Sequence, residues 1–132
     1  MDNKTILWIE DDIDIIKPVV KPLLDDGFHI VGCSNYAEAL THIKELHKFD
    51  LILLDLILPP GKSDAKGEYL GLEFLRRLRS EFDIQIPVIV FSVVANVAIV
   101  KELKSFGAIP LSKPIRPSQL KNEVLNTLGI KS

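Results

Sequence analysis

Apolar and polar positions along the chain fall into two alternating textures. Short runs rich in Ile, Val and Leu recur at Thr5-Ile6-Leu7-Trp8-Ile9, Phe28–Cys33, Leu51–Leu54 and Pro87–Phe91, with a weaker one at Ala108–Leu111. Several are apolar continuously rather than alternately, which marks strands covered on both faces, as in a parallel α/β sheet. The longer stretches between them carry a helical period. In Tyr36–His47 the predicted apolar face is Ala37, Leu40, Ile43 and Leu46. In Gly71–Phe82 it is Leu72, Leu75, Leu78 and Phe82, with Arg76, Arg77 and Arg79 directed outward. Val97–Phe106 and Pro117–Leu128 read similarly, and Pro117 suits a first helical turn, where its missing N–H costs nothing. Gly27, Gly107 and Gly129 sit where helix C-caps fall. The stretch Asp14–Asp26 contains Pro18 and Pro22, and Pro22 is expected to kink or shorten that helix.

Strand and helix thus alternate five times. This predicts an α/β fold, a doubly wound five-stranded parallel sheet with helices on both faces. One stretch, at about 57–70, breaks the pattern: it has no periodicity and carries Pro59, Pro60, Gly61 and Gly67, so an extended loop is expected there.

Composition narrows the function classes. A chain of 132 residues fits one domain over 1–132, and 47% hydrophobic with 26% charged residues is ordinary globular composition. The net charge of −2 gives no electrostatic case for nucleic acid or an anionic membrane. The single cysteine, Cys33, cannot form an internal disulfide, and no Cys cluster is present to hold zinc. The N-terminus shows no signal-peptide pattern, and no apolar run approaches the roughly 18 residues a membrane span requires. A cytoplasmic location follows as the expectation.

In doubly wound sheets, ligands bind beyond the carboxyl ends of the strands. The first run is followed by Glu10, Asp11 and Asp12, the third by Asp55, the fourth by Ser92, and the fifth by Ser112, Lys113 and Pro114. Carboxylates gathered at one sheet edge repel each other and call for a cation. Oxygen ligands of this kind suit Mg²⁺, which keeps positions open for phosphate. An aspartate beside such a metal can act as a nucleophile and form an acyl phosphate. A lysine and a hydroxyl nearby can neutralise the oxygens of a transferring phosphoryl group.

These residues carry a resemblance over nearly the whole chain. Ile6-Leu7-Trp8-Ile9-Glu10-Asp11-Asp12, Asp50–Leu56, Pro87-Val88-Ile89-Val90-Phe91-Ser92 and Ser112-Lys113-Pro114, in that order, resemble the receiver domain of bacterial response regulators. The resemblance implies a flavodoxin-like sheet of order 2-1-3-4-5. It implies that Asp55 accepts phosphate from a phosphohistidine on a sensor histidine kinase or phosphotransfer protein. It implies that Asp11, Asp55 and the backbone carbonyl of Ile57 bind Mg²⁺, that Glu10 holds metal-bound water, and that Ser92 and Lys113 contact the phosphoryl oxygens. The Lys113–Pro114 peptide would be cis. Such a chain is a phosphoacceptor switch rather than a turnover enzyme, assisting its own phosphorylation and dephosphorylation. It signals through an output protein or a fused effector domain.

The chain departs from the family pattern in three places. The 57–70 stretch is longer than usual. Pro110 stands where receivers commonly place an aromatic residue that rotates on activation. Val93 follows Ser92 where a small residue is favoured, and is expected to crowd the phosphoryl site. Pro110 and Val93 keep open a second reading, a receiver-like binding module whose output does not depend on phosphate. A haloacid-dehalogenase-type hydrolase would want an Asp two residues beyond the nucleophile, where this chain has Ile57. A flavin domain would want a Gly/Ser/Thr loop after the first strand.

Plainer roles are also expected. Asp12 or Asp14 caps the first helix. Trp8 and Cys33 are core, and His29, His42 and His47 lack metal-ligand spacing. Val93–Val100 supplies a core face or, as the sharper alternative, a partner surface.

Overall fold

A computed structural model describes residues 4–58, 69–94 and 96–130. The elements follow in the order β1 (Thr5–Ile9), α1 (Ile13–Asp25), β2 (His29–Cys33), α2 (Tyr36–Thr41), β3 (Leu51–Leu54), α3 (Leu70–Arg76), β4 (Val88–Ser92), α4 (Val97–Ser105), β5 (Ile109–Ser112) and α5 (Pro117–Leu128). A 3₁₀ segment, Ile43–Lys48, extends α2, and a wider π turn, Arg77–Glu81, extends α3. All strand pairings are parallel, and the sheet order is β2-β1-β3-β4-β5, as the resemblance implied.

The continuous apolarity of the strands has a direct cause. Successive side chains point to opposite faces, and each face has its own core. Leu7, Ile9, Ile52, Leu54, Val88 and Val90 pack on one side with Ala39, Phe74, Leu75, Leu78 and Leu103 of α2, α3 with its π turn, and α4. Ile6, Trp8, Leu51, Leu53, Ile89 and Phe91 pack on the other with Val20 and Leu23 of α1 and Leu120, Val124 and Leu125 of α5. Trp8 and Cys33 are core, as expected. Among the described residues, no helix is long and apolar enough to cross a membrane.

Several local expectations are corrected. Pro22 does not shorten α1, which runs to Asp25 with both prolines inside it. Pro18 is exposed and Pro22 half-buried. Asp14 and Pro18, whose carbonyls stand four residues before a proline that carries no N–H, are both exposed residues. The face of the second helix is shifted: Ala37 is exposed and Ala39 buried. Leu40, Ile43 and Leu46 pack on the core as expected, and Tyr36 and Ala39 join them, so only Ala37 of the predicted face lies off the buried stripe. In the third helix Phe74, not Phe82, is fully buried, and Phe82 is 37% exposed. The π turn adds residues per turn and rotates Phe82 outward, where the Arg77 guanidinium covers its ring at 5.5 Å. Arg79 is not simply outward either. It is half-buried and donates to the carbonyls of Phe106 at 3.0 Å and Ile84 at 2.7 Å.

Three glycines turn the chain at helix ends with positive φ: Gly27 at 94°, Gly107 at 73° and Gly129 at 69°. Pro110 lies in β5, an edge strand, the place in a sheet where proline is tolerated. The expected loop at 57–70 falls mostly on residues 59–68, outside the described residues.

Candidate functional site

The backbone ladder sets the site. Glu10 follows β1, and its N–H donates to Cys33 O at 2.9 Å. Asp55 follows β3, and its N–H donates to Ile9 O at 2.9 Å. Lys113 follows β5, and its N–H donates to Ser92 O at 3.0 Å. Each of the three thus stands one residue past its strand but is still held by the neighbouring strand. The parallel direction of all five strands puts these positions on one edge. The Lys113–Pro114 peptide is cis, as expected.

Their side chains meet. Lys113 Nζ donates to Glu10 Oε1 at 2.6 Å and to Asp55 Oδ2 at 3.1 Å. Glu10 is 1% and Asp55 5% exposed, so the pairs are shielded from water. Burial pushes the Glu10 carboxyl up to about 7; the bond from Lys113 opposes this and the nearby Asp55 adds to it. Burial alone would push the Lys113 ammonium down, but the hydrogen bond to Glu10 and the charges of Asp55 and Glu10 outweigh it and raise the value. One ammonium therefore serves two buried carboxylates, with a third, the exposed Asp11, beside them.

That arrangement is short of positive charge. One oxygen each of Glu10, Asp11 and Asp55 lies within 4.8 Å of the others. Three converging hard oxygen donors, two of them buried, fit a divalent cation such as Mg²⁺, with room left for water or phosphate. Ile57 follows closely, and its N–H donates to Asp55 Oδ1 at 3.2 Å, which orients the carboxylate. Ser92 is fully buried at the end of β4, where it pairs with Ser112, and its hydroxyl accepts the Val94 N–H at 3.3 Å.

Asp12 stands at the N-cap of α1 but makes no side-chain cap bond; its N–H instead donates to Glu10 Oε2 at 3.3 Å. Asp12 thus orders Glu10 through a main-chain donor, and its carboxylate does not cap the helix. Asn35 and Asn96, not singled out from sequence, do cap α2 and α4. His42 packs edge-on against Phe49, while His29 and His47 are exposed. The Val93–Val100 run divides: Val94 and Ile99 pack on the core, while Val93 and Val97 are 62% and 84% exposed.

Sequence reasoning missed two supporting residues. Gly71, in the first turn of α3, lies against the backbone of Asp55 and Leu56, and its N–H donates to Leu56 O at 2.9 Å. Phe91 lies under Lys113, with its ring centroid 5.3 Å from Nζ. A glycine opening a helical pattern was a signal for the first. The second reads from sequence only as another core aromatic.

Comparison with known proteins agrees with the fold. The response regulator receiver domain model matches residues 6–125. The chain is 32% identical to the response regulator receiver protein CpdR of Brucella abortus, covering 92% of this chain and 93% of that protein. It is 30% identical to the DNA-binding response regulator MtrA of Mycobacterium tuberculosis, covering 89% of this chain but only 47% of that longer protein. It superposes on a CheY-like response regulator receiver domain protein of Methanospirillum hungatei with a TM-score of 0.79, covering 97% of this chain and 95% of that one. At 23% identity that last likeness speaks for the fold alone.

Proposed function

The chain belongs to the response regulator receiver domain family of two-component systems, and from that membership we propose that it takes a phosphoryl group onto Asp55 from a histidine kinase or phosphotransfer protein. The observation that carries this reading is the single ammonium of Lys113 shared between Glu10 and Asp55. A buried carboxylate held by a lysine beside other carboxylates is oriented, ionisable and in need of further positive charge.

In the proposed reaction, an Asp55 oxygen forms a bond to phosphorus as the bond from phosphorus to the donor nitrogen breaks. The product is an acyl phosphate, and the donor imidazole keeps the electron pair. The residues that would hold Mg²⁺ are Asp11, Asp55 and the carbonyl of Ile57, with Glu10 holding its water. When bound, the metal supplies charge neutralisation for the phosphoryl oxygens. Lys113 and the Ser92 hydroxyl neutralise or hydrogen-bond the remaining oxygens. The Ile57 N–H holds Asp55 Oδ1 and the Lys113 ammonium holds Oδ2, so the carboxylate is oriented from both sides. The backbone bonds to Ile9 and Ser92 fix the starting points of Asp55 and Lys113, so little reorganisation is required. The whole of 1–132 would act as one receiver in the cytoplasm, signalling by protein contact.

The second reading, an output independent of phosphate, is favoured by Pro110. Its ring in β5 cannot make the rotation of an aromatic switch.

The test uses acetyl phosphate or beryllofluoride with Mg²⁺, followed by intact mass and Trp8 fluorescence. A phosphate-sized mass gain that is absent in Asp55→Asn supports the acceptor reading. Absence of an adduct in the unaltered chain overturns it. An adduct with no change of any structural signal favours the second reading for the output.

A further inference from the structure

Phe91 is the last apolar residue of β4 and is 2% exposed. Its ring faces the Lys113 ammonium at 5.3 Å, within the range of a cation–π contact. The strand order explains the meeting. Lys113 leaves the end of β5 and reaches Asp55 at the end of β3, two strands away, a separation of about 9.6 Å at ordinary strand spacing. β4 lies between them, and Phe91 is in register with Leu111, two residues before the lysine. The side chain must therefore cross the end of β4, where the ring lies.

The ring differs in kind from the other partners of Lys113. Glu10 and Asp55 are carboxylates, and both belong to the group that fits a divalent cation. Any cation or phosphoryl group that engages them weakens their hold on the ammonium. The ring face offers no lone pair to a hard cation and carries no proton to exchange. Its attraction for the ammonium persists when the carboxylates are engaged elsewhere. The contact is also shielded, since the Lys113 side chain is only 12% exposed.

We propose that Phe91 is a positioning residue for phosphoryl transfer: its ring face keeps the Lys113 ammonium over Asp55 while the carboxylates are occupied by metal and phosphoryl group. The inference rests on the reading of Asp55 as the acceptor.

The experiment grades the ring's charge distribution at nearly constant size. Phenylalanine at position 91 of the full chain is replaced site-specifically by mono-, di- and trifluorophenylalanine, and separately by Phe91→Leu. Each protein is labelled by acetyl phosphate with saturating Mg²⁺. In that reaction an Asp55 oxygen bonds to phosphorus, the phosphorus–oxygen bond to the acetyl group breaks, and acetate departs with the electron pair. The expected result is a stepwise fall in the labelling rate with each fluorine, about fivefold in all, with Phe91→Leu at least as slow. A flat fluorine series, with the unaltered chain labelled, overturns the role of Phe91 and leaves Asp55 as acceptor. A flat series with a slow Phe91→Leu has the same meaning, because packing alone would produce it. An unaltered chain that is never labelled overturns the acceptor reading first and this inference with it.

Discussion

Gly71 touches the backbone of Asp55 so closely that a β-carbon on it would overlap the Asp55 carbonyl oxygen and the Leu56 α-carbon. The contact is between two main chains, so neither side has a flexible side chain to swing away. The first turn of α3 therefore abuts the end of β3 only because residue 71 has no side chain. The placement of the candidate acceptor depends on a residue with no chemistry of its own.

Gly71→Ala is expected to destabilise the protein despite the helix preference of alanine. That preference is worth at most about 1 kcal/mol, whereas overpacking against backbone costs about 1–3 kcal/mol or more. Denaturant unfolding should show the loss, and Mg²⁺ titration should show weaker binding because Asp55 is displaced.

Glu10 links stability to pH in the metal-free protein. Burial raises its carboxyl from 4.5 to about 7 in the folded state. A raised value means that stability present below the ordinary carboxylate range is lost as pH rises through about 7. Glu10→Gln keeps an acceptor for Lys113 but removes the titration. The variant should match the parent near pH 4 and exceed it near pH 8 by on the order of 3 kcal/mol. Unfolding curves at the two pH values decide this; equal differences at both would count against it.

Arg76 of α3 and Glu102 of α4 form a forked pair, with Nη2 to Oε1 at 2.8 Å and each side chain 30% exposed. The Arg76 hydrogen bonds hold the Glu102 carboxyl below the usual range. Its contribution is present above that range and is lost as pH falls through the lowered value. A double-mutant cycle with Arg76→Ala and Glu102→Ala is expected to give a coupling of about 1 kcal/mol near neutral pH, shrinking in high salt. No coupling would mean that the pair is incidental to the α3–α4 packing.

Cys33 is fully buried, and burial pushes its thiol from 9.0 up to about 12. The thiolate is the reactive form, so alkylation of the folded protein at pH 8 should be slow. In denaturant the same thiol should react at the rate of a free cysteine. Rapid reaction of the folded protein would show that the end of β2 opens readily.

The family, the alternation of strands and helices and the residues at the strand ends were legible in the sequence. A strand covered on both faces must be apolar throughout, so its end shows as the first polar residue. That is how Glu10, Asp55 and Ser92 stood out, with Lys113 just behind Ser112 at the end of the weaker fifth run. Helix faces were less legible, because the reading assumed a constant 3.6-residue period. The π segment broke that period before Phe82, and in α2 the buried small residue is Ala39 rather than Ala37. Pro22 misled because its cost depends on whether the freed carbonyl can reach water, which only the position of α1 determines.

The sequence by itself determined which groups were available for chemistry, because residue type sets charge, hydrogen bonding and affinity for a hard cation. Tertiary structure alone decided which of them meet. Lys113 reaches Glu10 across 103 positions and Asp55 across 58, and it rests on Phe91 because β4 lies between β5 and β3. Strand order is a property of how the layers pack, and no local pattern of residues encodes a distance across the sheet.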